Sequence, residues 1–413
     1  MKNLRLFVGL FLLFACAGAL RAFATPPMVT NVTAHQRADA SGLVDITYDL
    51  FDAQGGTQTV YVAVSTNSGG RYDVGATSFS GAVGAGVTPG AAKHIVWDAI
   101  ADLPMVSSTT VRVKVTADDS VYTDLFCIVD VAAGPAAYSY PVIFSSVAPP
   151  LNDEYKTTKI VLGRIAAGTF AMGSPTNELG RDSDETRHTV TLSCGYYLGL
   201  YEITQAQYSN VMGANPSFNV KGAQSATRPA EMVSWTAARG GIWPGGAPDG
   251  AAFMGRLRTK TNRAFDLPSE AQWEYACRAG TTNALNNNTN LTNTYRDGNM
   301  DLLGRYYCNG GGTYVADPTN GADAAVGSYQ PNSAGLYDMH GNVNEWCLDL
   351  YGAYGGNATD PAGADAGTNT YRVIRGGSWC FAAGECRSAA RRYYSQDYTQ
   401  DDYGFRLCLP VRP

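Results

Sequence analysis

The sequence predicts an α+β protein in two parts, a small all-β sandwich over residues 28–118 followed by a loop-rich domain over residues 154–413 with little regular secondary structure. Runs that alternate apolar and polar residues, rich in β-branched side chains, crowd the N-terminal part. Glycine (46) and tyrosine (25) are abundant while charged residues make up only 16%, which favours turns and strands over long helices. Two later stretches alone combine a helix start signal with helical periodicity.

Taken in order, the chain opens with Lys2 and Arg5, an apolar run over residues 6–20, and Ala22-Phe23-Ala24. This pattern predicts a secretory signal over residues 1–24 and hence an exported protein. A competing reading takes Leu13-Phe14-Ala15-Cys16 as a lipobox that leaves Cys16 acylated. No later stretch approaches the roughly 20 apolar residues of a membrane span. The net charge of −6 argues against a nucleic-acid partner.

Strands are expected at Val44-Asp45-Ile46-Thr47-Tyr48-Asp49-Leu50, at Val60-Tyr61-Val62-Ala63-Val64-Ser65 and at Val111-Arg112-Val113-Lys114-Val115-Thr116. About ninety residues without cysteine suit an immunoglobulin- or fibronectin-like module. Residues 119–153, with Pro135, Pro141, Pro149 and Pro150, read as a linker. One helix is expected from a Thr204 cap to Met212. Another is expected from Ser269 to Arg278, with Trp273, Ala276 and Cys277 on one face.

Without Cys16, eight of the nine cysteines remain, and an even number in an oxidising compartment predicts disulfides. No Cys-x-x-Cys pair exists, and the four histidines have no metal-ligand spacing. Gly310-Gly311-Gly312 lacks the strand and basic anchor of a phosphate loop, and no serine sits in a nucleophile elbow.

The richest candidate for chemistry is Asp338-Met339-His340-Gly341-Asn342-Val343-Asn344-Glu345. Two carboxylates bracket a glycine turn, and the carbonyls of Gly341 and Val343 alternate in step with the Glu345 side chain. Hard oxygen donors of this kind suit calcium; acids that merely cap backbone N–H groups are the alternative.

That stretch, extended to Gly335-Leu336-Tyr337 and Trp346-Cys347, occurs with Phe170-Ala171-Met172-Gly173-Ser174, Arg375-Gly376-Gly377-Ser378-Trp379 and Tyr403-Gly404-Phe405-Arg406-Leu407. Together they resemble the formylglycine-generating enzyme family, the sulfatase-modifying factors. The resemblance covers roughly 250 residues from near Thr158. It implies a C-type-lectin-like fold and a structural calcium held by Asp338, Gly341, Val343 and Glu345. A second calcium is expected near residues 299–323, and Gln330-Pro331-Asn332 carries no sugar-binding role in relatives.

The resemblance also implies copper(I) on two loop cysteines, with oxidation of a peptidyl cysteine, in a sulfatase for example, to formylglycine. Cys380 and Cys386 are the candidates, with Ser378 beside them. Their loop departs from the family pattern, because five residues separate the two cysteines and the segment from Gly376-Gly377-Ser378 to Arg387-Ser388-Ala389-Ala390-Arg391 is short. Cys386 then becomes a candidate for a bridge to Cys347, and Cys277 for one to Cys408. Arg391 and Arg406 are expected as buried partners of Glu345 or Asp402. Two functions follow: a copper- and oxygen-dependent oxidoreductase, or a non-catalytic scaffold presenting a groove near Trp379, Tyr393 and Tyr394 to a protein or glycan.

Overall fold

A computed structural model describes residues 27–411 apart from 53–54, 67–73, 75, 104–109, 119–123, 221–224, 311–321 and 365–369. The expected signal segment, Gly311, Gly312 and much of the expected second calcium region lie outside the described residues.

The N-terminal part holds strands β1 (Met28–Gln36), β2 (Leu43–Phe51), β3 (Gln58–Ser65), β4 (Phe79–Gly81), β5 (Gly84–Val87) and β6 (Gly90–Asp98). A single helical turn, α1 (Ala99–Asp102), and strand β7 (Arg112–Asp118) follow. They form a four-stranded sheet in the order β1-β2-β6-β4 and a three-stranded sheet in the order β5-β3-β7. The alternating residues put Ile46, Tyr48, Val60, Val62, Ile95, Trp97 and Val115 into one buried cluster shared by both sheets. Trp97 buries its ring there and donates Nε1–H to Asp102 Oδ2 at 2.8 Å, which pins α1 to the sheet.

The second part begins earlier than the sequence suggests. Strands β8 (Phe126–Asp130) and β9 (Val142–Ser145) lie inside the segment expected to be a linker. Both join a five-stranded sheet ordered β19-β13-β10-β8-β9, where β10 is Lys159–Ile165, β13 is Tyr196–Gly199 and β19 is Cys408–Pro410. β8 pairs antiparallel with β10, Leu162 opposite Cys127. Cys127, Val129, Val131 and Tyr140 belong to the main core with Trp235, Phe253, Trp346 and Phe405. Prolines at 135 and 141 mark the turn between two paired strands, not an open spacer.

The remaining elements are few and short: β11 (Gly168–Met172), β12 (His188–Leu192), α2 (Gln205–Met212), α3 (Trp235–Ala238), α4 (Phe253–Thr261) and α5 (Glu270–Arg278). The C-terminal strands are β14 (Asn344–Leu350), β15 (Ala358–Thr359), β16 (Tyr371–Arg375), β17 (Arg392–Ser395) and β18 (Tyr403–Gly404). Helices α2 and α5 each start with a capping box, Thr204 with Gln207 and Ser269 with Gln272, at the expected residues. Every residue of β14 is buried, because β16 and β18 flank it in one sheet and α5 lies against it.

All eight described cysteines are unpaired, which corrects the disulfide expectation. Cys277 Sγ faces Ser388 Oγ at 3.6 Å and Met339 O, whereas Cys408 Sγ faces Gln272 Oε1 at 3.7 Å. Cys347 Sγ lies over its own strand, 4.0 Å from Glu345 O, and Cys386 Sγ faces Ser378 O at the same distance.

Candidate functional site

The turn that feeds β14 is built from left-handed backbone, with φ of +57° at Asp338, +84° at Gly341 and +64° at Asn342. A β-carbon on Gly341 would lie 2.1 Å from Arg305 O, so only glycine allows this approach. The turn brings Asp338, Glu345 and Glu202, all fully buried, into one cluster with a single guanidinium, Arg406. Arg406 donates Nε–H and Nη2–H to the two oxygens of Glu345, both at 2.6 Å, and reaches Tyr337 O at 3.0 Å. Trp273 Nε1–H adds a bond of 2.8 Å to Glu345 Oε2. Glu202 accepts from Asn342 Nδ2 at 2.6 Å and from Val343 N at 3.2 Å.

Asp338 Oδ2 accepts from Gly327 N at 2.6 Å, while its buried Oδ1 has no partner. Burial pushes Asp338 up to about 6 and, with Asp338 and Glu345 adding repulsion, drives Glu202 well above the usual carboxylate range. The cluster is therefore short of positive charge. Among the described residues no group of three or more His, Cys, Asp or Glu side chains forms a metal cluster. An ion here would rest on two carboxylates with backbone oxygens.

The second candidate centre lies on the segment after β16. Ser378 Oγ donates to Asp402 Oδ2 at 2.7 Å, Cys380 Sγ lies 3.3 Å from the same oxygen, and Asn344 Nδ2 reaches it at 2.9 Å. Ser378 and Cys380 are 3.3 Å apart. Cys380 is half-buried, but burial and the Asp402 carboxylate push its thiol up to about 12. Cys386 is fully buried beneath Gly377, where a β-carbon would come within 2.6 Å of its sulfur, and burial raises its thiol further. The two loop cysteines thus occupy unlike settings, and only Cys380 approaches the surface.

Trp379, expected to face a groove, is 2% exposed and donates Nε1–H to Asp401 O at 3.2 Å. Tyr393 and Tyr398 are surface residues, at 43% and 37% exposure. Arg391 pairs with Glu270, at 2.6 and 2.9 Å, in place of the expected Glu345 or Asp402. In the acidic run Asp182-Ser183-Asp184-Glu185 ahead of His188, Glu185 takes Arg387, and Asp184 accepts from Tyr351 Oη at 2.6 Å.

A third group escaped the sequence reading, because its members are scattered over four segments. Glu231 Oε1 accepts from Asn219 N at 2.7 Å, and Asn219 Nδ2 reaches Asp401 O at 3.3 Å. Asp323 accepts from Arg228 Nη1 at 2.7 Å. Burial pushes Glu231 up to about 8 and Asp323 up to about 7. No periodicity or spacing signals this convergence. A separate cavity of about 100 Å³ lies between β14 and the loop at Gly352–Gly356, lined by His188, Tyr354, Asp349 and Arg391.

Among the described residues no helix is long and apolar enough to cross a membrane. The sulfatase-modifying factor enzyme 1-like domain matches residues 149–410. The formylglycine-generating enzyme of Streptomyces coelicolor is 30% identical over 292 residues, covering 59% of this chain and 87% of that protein. The chaperone protein LppX of Paenibacillus barcinonensis is 26% identical over 247 residues, 53% of this chain and 81% of that one. Among solved structures, Treponema denticola variable protein 1 aligns with a TM-score of 0.49 at 27% identity, over 62% of this chain and 96% of its own.

Proposed function

Because this chain belongs to the sulfatase-modifying factor enzyme 1-like domain family, we propose that its C-terminal domain is a non-catalytic peptide-binding module on that fold. In this reading it is exported and carries an immunoglobulin- or fibronectin-like sandwich in front. The observation that carries the reading is the unlike setting of the two loop thiols. Copper(I) bound by two thiolates would supply oxygen activation. A thiolate at Cys380 would stand 3.3 Å from the Asp402 carboxylate, and Cys386 lies sealed under backbone, so this pair does not fit the metal.

Calcium fits better. Asp338, with its buried unpartnered oxygen, and Glu345 would hold the ion together with the carbonyls of Gly341 and Val343. Its charge would offset three buried carboxylates that share one arginine. The ion is structural in this reading: it fixes the turn whose far end, Asn344, holds Asp402. The charged and then apolar start of the sequence supports export, and a relative named as a chaperone favours a protein ligand over a glycan.

The test is to incubate the reduced, copper-loaded full chain with a Cys-x-Pro-x-Arg peptide and follow the thiol by mass spectrometry. The expected result is an unchanged cysteine, with Cys380→Ser behaving like wild type. Conversion to formylglycine by the wild type, lost in Cys380→Ser, would overturn the reading in favour of the enzyme.

A further inference from the structure

We propose that the cavity beside β14, with the row of tyrosines leading out of it, binds a neutral saccharide. Asp349 and His188 take its hydroxyls, and the tyrosines take the faces of its rings. The site is separate from the centre at Asp402 and does not depend on the peptide-binding reading.

The first support is an unmatched acceptor inside the cavity. Asp349 lines it and is 2% exposed. Its Oδ2 accepts from Glu270 N at 2.8 Å, and among the described residues no donor reaches Oδ1. Buried polar atoms are nearly always satisfied, so a donor is missing here. His188 lines the same cavity, with Nδ1 at 2.9 Å from Thr186 O. A carbonyl there places the ring proton on Nδ1 and leaves Nε2 an acceptor in the neutral ring. The neighbouring groups are already engaged. Glu270 accepts from Arg391 and from Tyr354 Oη, and Arg391 also reaches the carbonyls of Asp184 and Gly352.

Charge selects the kind of donor. The Arg391 guanidinium borders the cavity and opposes a cation, while Asp349 and Glu270 oppose an anion. Hydroxyls donate without charge. At about 100 Å³ the space exceeds the ~30 Å³ share of one water and suits one hydroxyl-bearing edge of a sugar ring. The third support is the aromatic row. Arg391 stacks over Tyr354 at 3.9 Å and over Tyr351 at 5.0 Å. Tyr351 stacks on Tyr393 at 3.9 Å, and Tyr371 follows at 5.3 Å. Tyr371 and Tyr393 are 48% and 43% exposed, so their rings offer apolar faces to the C–H side of further sugar units. Alternation along β17 sends Tyr394 to the other face, against Tyr398 and Tyr403, which keeps this row apart from Asp402.

The experiment passes the full chain over immobilised tetrasaccharides of glucose, mannose and galactose, with tetragalacturonate and tetralysine as charged controls. The expected result is retention by at least one neutral tetrasaccharide and elution by the same sugar in free form. Asp349→Asn keeps an oxygen for Glu270 N and turns the open acceptor into a donor. It should weaken retention at least about tenfold, the loss expected when a hydrogen bond to a charged group is removed. Tyr393→Ala, at an exposed position, should also weaken retention while thermal unfolding stays close to wild type, and it decides the matter if Asp349→Asn does not fold. No retention by any neutral probe would overturn the proposal, as would retention that survives Tyr393→Ala or folded Asp349→Asn. Retention by tetralysine or tetragalacturonate alone would make this a charged-ligand site and overturn it as well.

Discussion

Replacing Arg406 by methionine tests how the C-terminal domain is held together. The side chain is fully buried and makes two bonds of 2.6 Å to Glu345, one of 2.9 Å to Gly199 O and one of 3.0 Å to Tyr337 O. Methionine fills much of the space but leaves Glu345 without its ion-pair partner and takes the guanidinium away from Asp338 and Glu202. Removing one member of a buried pair costs about 3–5 kcal/mol, since the other charge stays desolvated. Against a domain stability of about 5–15 kcal/mol this is a large fraction. With a slope of roughly 2–3 kcal/mol per molar urea, the midpoint should fall by about 1–2 M. Urea titration followed by tryptophan fluorescence reads it directly, because Trp273 and Trp346 are buried beside the cluster. Adding Glu345→Gln to Arg406→Met should recover part of the loss, since the stranded charge is gone. A single variant that loses less than about 1 kcal/mol, or a double variant worse than the sum of its parts, would refute the reasoning.

Three further outcomes follow from the same geometry. Calcium chloride in excess over its dissociation constant should raise the unfolding temperature relative to chelator, by about 3 kcal/mol of stability at a hundredfold excess. Asp338→Ala should remove that response, and a wild type indifferent to calcium would sink the calcium assignment. Burial pushes Asp349 up to about 7, above its unfolded value near 3.9. The folded state therefore binds the extra proton between those values, and stability falls as pH rises through that window. Asp349→Asn, which keeps an acceptor for Glu270 N, should flatten the decline between pH 5 and 8 by roughly 1–3 kcal/mol in urea midpoints; parallel profiles would contradict it. Ser269→Ala deletes the cap of α5 and should cost about 1 kcal/mol by thermal unfolding, whereas no change would mean that packing of Trp273 alone fixes the helix start.

The parts of the fold that were legible in the sequence carry local signals. β2, β3 and β7 alternate with period 2, and Thr204 and Ser269 announce α2 and α5. Helix α4 was not seen, because its cap is Ala252, which offers no side-chain bond, so the start signal is missing. β8 and β9 were hidden by flanking prolines and by short length; their identity as strands comes from pairing with β10, a contact that no local window contains. At the site, Asp338 and Glu345 were readable since one turn brackets both. Their third acid, Glu202, sits 136 residues before Asp338 and has no motif of its own. The unpaired state of Cys277 and Cys408 depends on where each side chain points, and spacing does not encode that.

The placement of β8 and β9 bears on where the protein can be cut. A fragment trimmed to the matched family region would start after Ser145 and discard both strands. β10 would then become a bare edge, and Trp235 and Phe253 would lose the cover of Val129, Val131 and Tyr140. Such a truncation should come out of expression as aggregate, while one beginning near Asp124 keeps the sheet whole.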